Sequence, residues 1–398
     1  MKRKNIFEIS LVGCVASMLA YVASCSLPAI AQENKPQEVS AKRVQELKDL
    51  NWGMFVCWSF STFSGWEWTG GVAKRTDYDK LFPAKNVDTD QWAKTAKEAG
   101  MGYILFLTKH HDGFCLWDTK TTERKVTNAP LGKDVLAELK KSCDKYGIKL
   151  ALYFSEGDWT WEGAVDGKVY EGGNNPETKK AQLKELLTQY GDIEYIWFDH
   201  AAGTGGLNHD ETTAWCKQFQ PNCFIGYNHG DQTSADIRLG EMGKPGSIDD
   251  AAGPYLGKVK DNNWKLAEFT YPILPSHQGG AMWFYSLPKH DQLVHPASKL
   301  FDDYLGAKKF GNIFSINIGP NYEGKIRDID VKTLREVGQL IKNIKKQNAP
   351  QTGNIKRQDN IDWQTFLAKQ DAVWEKLPQK FDHGAFLGNG LLGTTIFQ

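Results

Sequence analysis

Apolar positions in this chain come in short unbroken runs, each followed by a polar residue and then by a stretch of helical spacing. The clearest run is Tyr195-Ile196-Trp197-Phe198, which meets Asp199 and His200 directly and then a Gly-rich segment, 201–206. A continuous apolar run bounded by turn residues reads as a strand buried on both faces. The same texture predicts strands over 54–60, 103–108, 149–154, 223–228, 266–270, 282–285 and 312–318. Amphipathic spacing with start and stop residues predicts helices over 88–99, 135–146, 177–190, 212–219, 292–306 and 330–347, with Gly100 and Gly147 as stops. A long irregular excursion fills 230–263, and no internal repeat or low-complexity segment is present.

Strands alternating with helices imply parallel pairing through helical crossovers. Eight strands in about 300 residues fit a (β/α)8 barrel, which typically takes about 250. An open doubly wound sheet is the alternative, but it usually carries a Gly-rich phosphate turn after its first strand, and none is found. The barrel also accounts for the polar residues. His110, Glu156, Asp199 and Asn228 all fall just past C-terminal strand ends, where barrel active sites are assembled. An ionised carboxylate at such a place is costly to desolvate, so Asp199 is a candidate for chemistry rather than packing alone.

The flanks divide differently. Residues 1–31 read as a signal peptide, with the basic head Met1-Lys2-Arg3-Lys4, an apolar stretch and a small-residue cleavage signal ending at Ala31. Val22-Ala23-Ser24-Cys25 also resembles a bacterial lipobox, which would anchor the protein by a lipid on Cys25. The expected location is therefore secreted or periplasmic, with a surface or outer-membrane lipoprotein as the alternative. A linker and short helix occupy 32–50, the barrel 51–349, and a polar linker leads into 350–398. That last segment ends in a strand pair around Gly388-Asn389-Gly390, expected as the opening of a truncated β-rich second domain. No later stretch is long enough to span a membrane.

Composition narrows the function. Lysine plus arginine balance aspartate plus glutamate at 48 each, so no basic footprint for nucleic acid is present. Two of the seven cysteines lie in the leader, and the remaining five lack metal-type spacing. No cofactor is implied. The adjacent His110 and His111 cannot easily share one ion, which disfavours a metal site. As neighbours at a strand end, their side chains are expected to point opposite ways.

Several runs together are similar to glycoside hydrolase family 29, the α-L-fucosidases. They are Lys109-His110-His111-Asp112-Gly113-Phe114 with Leu116-Trp117, Trp197-Phe198-Asp199, Asn51-Trp52-Gly53-Met54-Phe55 with Trp58, Glu67-Trp68, and Gly311-Asn312-Ile313 with Asn317-Ile318-Gly319-Pro320 and Gly324. The resemblance covers 51–347. It implies a carbohydrate substrate and a retaining mechanism in which Asp199 is the nucleophile. The acid/base is expected on a loop after the fifth strand, where Asp236-Ile237-Arg238-Leu239-Gly240-Glu241 points to Glu241; Glu67, Glu156 and Glu268 are the runners-up. The resemblance further implies sugar contacts from His110 and His111, with Trp58, Trp283, Glu67 and Asn228 as further binding candidates. One position departs. Cys57 stands where the family has a hydroxyl-binding histidine, and a thiol is a weak donor. Three readings follow: an exo-acting α-L-fucosidase, a related glycosidase on α-L-galactose or a modified fucose, and a carbohydrate-binding protein without turnover.

Overall fold

The computed structural model describes residues 38–165, 168, 172–200, 205–228, 234–251, 263–348, 385–388 and 393–396. The predicted leader and the Cys25 lipobox lie outside them, as do most of the 350–398 segment and its Gly-Asn-Gly turn. The chain divides into two compact units, Met1–Gln347 and Asn348–Gln398. In the second, strands Ala385–Gly388 and Gly393–Ile396 pair antiparallel.

The first unit holds a closed barrel of eight parallel strands: β1 Trp52–Val56, β2 Tyr103–Lys109, β3 Lys149–Ser155, β4 Tyr195–Asp199, β5 Phe224–Tyr227, β6 Ile237–Glu241, β7 Leu266–Pro272 and β8 Ile313–Ile318. β1 pairs with both β2 and β8, which closes the ring. Nearly every strand residue is buried, because helices cover the outside and side chains fill the inside. Gly53 is one consequence: a Cβ there would stand 2.5 Å from the ring of Tyr103, which crosses the interior to bond Ser315 Oγ at 2.7 Å.

Helices Thr89–Glu98, Val135–Tyr146, Pro176–Gln189, His209–Phe219, Ala297–Lys309 and Asp328–Asn348 form the outer layer. Their starts follow local chemistry. Asp88, Asp134 and Asn175 each accept a backbone N–H of the first turn, and Asn208 with Glu211 forms a capping box. No described helix is long and apolar enough to cross a membrane.

Two strand assignments need correction. The sixth strand lies inside the excursion read as irregular, at Ile237–Glu241, and Leu266–Pro272 is the seventh. Residues 282–285 are not a strand but part of the loop between β7 and β8. Alternation with helices was the guide, and it fails here: among the described residues only the 3-10 turn Ile248–Ala251 lies between β6 and β7. Residues 282–285 are apolar because two of them wall a pocket, as the next section describes.

Candidate active site

At the C-terminal end of the barrel lies a pocket of about 570 Å³, lined by residues of five strands and of the loops that follow β1, β2, β4 and β7. Asp199 ends β4 there and is 8% exposed. Its Oδ2 accepts a hydrogen bond from the Tyr153 hydroxyl at 2.6 Å. Its Oδ1 accepts from Asn228 Nδ2 and from the His200 backbone N–H, each at 2.9 Å. Three donors thus fix the carboxylate in one orientation. Burial holds the Tyr153 hydroxyl far above the ordinary phenol range, so it stays a donor.

Glu241 is the last residue of β6, not part of a loop after the fifth strand. The same Asn228 amide nitrogen donates to its Oε2 at 2.7 Å. The two carboxylate oxygens therefore lie no farther apart than these two bonds laid end to end. That is short of the ~6.5–9.5 Å an inverting pair needs to admit a water between them. Burial first and the Asp199 charge second push the Glu241 carboxyl up to about 8, so it carries a proton at neutrality. Asn228 itself continues β5 by one backbone bond, to the Phe198 carbonyl at 2.8 Å, which sets its amide between the two acids.

The histidines correct one expectation. Both His110 and His111 line the pocket, with ring centroids 3.8 Å apart, rather than pointing opposite ways. Pleated alternation stops at Lys109, where β2 ends, and the chain turns through Gly113 at φ 74°. Lys109 anchors the turn from below, buried between the rings of Phe154 and Trp161 and bonded to Asp158 at 2.7 Å. His111 Nδ1 meets Ser155 Oγ at 2.6 Å, and its Nε2 faces Asp199 Oδ2 at 3.7 Å. His110 is held neutral by burial, with its pKa down near 3.

Cys57 and Phe55 line the pocket, whereas Trp58 does not. Side chains alternate along β1 and just beyond it, so Trp58 turns outward. Its ring packs edge-on against Phe82 and Trp92, and Nε1 donates to the Asn321 carbonyl at 3.0 Å. The expected sugar contact from Trp58 is thus corrected to a core role. Glu67 and Trp283 both line the pocket. Glu67 Oε2 accepts the backbone N–H groups of Met282 (2.6 Å) and Trp283 (3.3 Å), clamping the loop that carries Trp283 and Phe284. Burial raises Glu67 to about 7.

The other two runners-up sit elsewhere. Glu156 is buried and paired with the equally buried Lys179. Glu268 points into the barrel interior, where it accepts from Trp197 Nε1 at 3.2 Å. Among the residues that the sequence reading did not select, Tyr153 and His200 join the site. Tyr153 stacks on Trp197 at 5.4 Å, and His200 stacks on His111 at 3.9 Å with the planes 10° apart. As strand-interior apolar text, Tyr153 gave no separate signal. His200 carried one, since it directly follows the strand-terminal acid; in the structure it adopts φ 50°, a backbone region uncommon outside glycine. The donor atoms of His111, Asp199 and His200 lie within 4.8 Å of one another and form a possible ion site.

Comparison with known proteins agrees with this geometry. A family model described as alpha-L-fucosidase matches residues 23–346. α-L-Fucosidase 1 of Arabidopsis thaliana is 29% identical over 342 residues, covering 79% of this chain and 63% of its own. The chain thus spans less than two thirds of that relative's length. Among solved structures, α-L-fucosidase isoenzyme 1 from Paenibacillus thiaminolyticus is similar at 25% identity and TM-score 0.63, over 76% of this chain and 75% of the other. A glycoside hydrolase 29 family member from an unknown rumen bacterium is similar at 26% identity and TM-score 0.59, over 76% and 57%. The chain belongs to the α-L-fucosidase family, glycoside hydrolase family 29.

Proposed function

We propose that this protein hydrolyses a terminal α-L-fucosyl or closely related residue with retention, using Asp199 as nucleophile and Glu241 as acid/base. The observation that carries the reading is the single Asn228 amide that bridges the two carboxyls. In the first step an Asp199 oxygen bonds to the anomeric carbon while the glycosidic C–O bond breaks and Glu241 gives its proton to the departing oxygen. In the second step water attacks that carbon, passes a proton to Glu241, and releases Asp199. His110, His111, Glu67, Trp283 and Cys57 contact the sugar, and Asn228 and Tyr153 orient the nucleophile.

Cys57 favours a second sugar within the same chemistry. Burial pushes its thiol well above the ordinary range, so it offers the sugar only a weak S–H donor where the family has an imidazole. α-L-Galactose or a fucose substituted at the hydroxyl nearest Cys57 fits that wall. We also propose export from the cytoplasm on the strength of the 1–31 leader; N-terminal sequencing of the mature protein tests it.

The catalytic assignment is tested with Asp199→Ala. Turnover of an aryl α-L-fucoside is expected to fall by at least ~10³-fold, the scale of losing a residue that reacts covalently. Added azide should restore part of the rate and give a glycosyl azide. Turnover close to that of the unmodified protein would refute Asp199 as nucleophile.

A further inference from the structure

Inside the barrel, below the sugar pocket, Glu268 is a fully buried carboxyl that the proposed mechanism does not use. The register of β6 with β7 sets Leu239 opposite Glu268 and Glu241 opposite Thr270, so Glu268 lies below the acid/base, and it does not line the pocket. Its Oε2 accepts the indole N–H of Trp197 at 3.2 Å, and among the described residues its Oε1 has no hydrogen-bond partner. Burial raises the carboxyl to about 7, and only hydrogen bonding draws it back. A group kept there at such a desolvation cost needs a reason.

Pairing an indole N–H is not reason enough in this barrel. Trp58 and Trp92 donate to backbone carbonyls, at 3.0 and 2.9 Å. Trp52, also buried, has no partner for its Nε1 among the described residues. Trp197 differs in its place. It lines the sugar pocket, and its ring meets Tyr153 at 5.4 Å and Phe55 at 6.2 Å, with Phe55 and Tyr153 5.6 Å apart. Three rings in mutual contact thus form the pocket floor, and the Tyr153 hydroxyl donates to Asp199 Oδ2 at 2.6 Å. The χ2 torsion of an aromatic side chain has a broad well, so packing alone sets the ring plane loosely. A directional bond to the indole edge removes that freedom.

We infer that Glu268 is a positioning residue for the proposed glycosidase: its carboxyl fixes the Trp197 indole, and that ring sets Tyr153 so that its hydroxyl meets the nucleophile. This assignment rests on the retaining reading above and adds to it a residue that touches neither the sugar nor the reacting atoms. The bond needs an acceptor at position 268 and not a charge, so glutamine serves there and leucine does not.

The test is a double-mutant cycle on 4-nitrophenyl α-L-fucoside. Glu268→Leu should lower kcat at least about tenfold with KM within about threefold, and Glu268→Gln should stay within about threefold of the unmodified protein. Tyr153→Phe should lose roughly 10–100-fold in kcat, the scale of one hydrogen bond to a charged group. In that background Glu268→Leu should cost less than about twofold more, because the hydroxyl it serves is gone. Losses that multiply in the double variant, or a Glu268→Gln as slow as Glu268→Leu, overturn the inference. If Glu268→Leu does not fold, Trp197→Phe replaces it in the cycle, removing the same bond from the other side. A protein that cleaves no glycoside defeats the glycosidase reading itself, whereas turnover with multiplied losses leaves that reading standing and overturns only this assignment.

Discussion

In the proposed mechanism, a proton held on Glu241 at neutral pH lets one carboxyl donate while its neighbour attacks. Burial and the Asp199 charge put that group near 8, so kcat/KM is expected to fall as pH rises through about 8. Glu241→Gln should abolish this alkaline limb. It should also slow glycosides with poor leaving groups by ~10²–10⁴, and activated aryl glycosides much less in the first step. An unchanged alkaline limb in that variant would assign the proton elsewhere. Cys57 makes a second residue-level claim. Cys57→His should raise kcat/KM on plain aryl α-L-fucoside by about the one neutral hydrogen bond regained, roughly fivefold to tenfold. Loss of activity would show that the cavity at position 57 is fitted to something other than a free hydroxyl. Asp199, His110 and His111 were readable from the sequence because polar residues at strand ends stand out against apolar runs, whereas Glu241 and Glu67 were selected through the family resemblance. Tyr153 was not, since an aromatic that donates a hydrogen bond reads the same as one that only packs.

Elements hold these residues through buried ion pairs as well as strand pairing. Glu156 extends the third strand and donates its backbone N–H to the Asp199 carbonyl at 2.9 Å, so its own position bears on the nucleophile. Burial lifts its carboxyl and Lys179 draws it back. Lys179, fully buried, also bonds Thr212 Oγ1 at 2.9 Å, tying helix Pro176–Gln189 to helix His209–Phe219. Lys179→Met should destabilise by about 3–5 kcal/mol, the scale of stranding one partner of a buried pair. In urea titrations the loss should be larger at pH 8 than at pH 5, because the stranded Glu156 must be kept protonated. Equal loss at both pH values would make the contact one of packing only. The element that escaped the sequence reading, β6, shows what strand texture depends on. Ile237-Arg238-Leu239-Gly240-Glu241 has charges at two of its five positions. Arg238 lies over Trp264 at 4.7 Å and Glu241 faces the pocket, and these two charges hid the strand.

For the molecule as a whole, the site carries a stability cost that depends on pH. Glu67, Glu241 and Glu268 are raised to about 7, about 8 and about 7, burial being the first cause for each. The folded protein keeps protons that the unfolded chain sheds above the ordinary glutamate range. Their contribution is therefore complete below that range and is lost as pH rises through 7 and 8. His110 acts in the opposite sense: its depressed pKa costs stability only as pH falls below the ordinary histidine value. Between about 6.5 and 8 the glutamates act alone among these groups, so Tm should fall across that interval, and Glu268→Gln should make the fall shallower. A Tm that rises over the same interval would contradict the burial of these carboxyls. The barrel was readable at this scale because seven of its strands are apolar runs in series, most of them separated by helical stretches, and 282–285 stood in for the missed β6.

The central claim, that Asp199 forms a covalent bond to the sugar, is most directly tested by mass mapping after incubation with 2-fluoro-fucosyl fluoride. Fluorine at C2 slows hydrolysis of the second step and lets the adduct accumulate. One glycosyl adduct on the peptide carrying Trp197-Phe198-Asp199, localised to Asp199, is the expected result. An adduct on any other residue, or steady fluoride release with no adduct and an inverted sugar product, would contradict it.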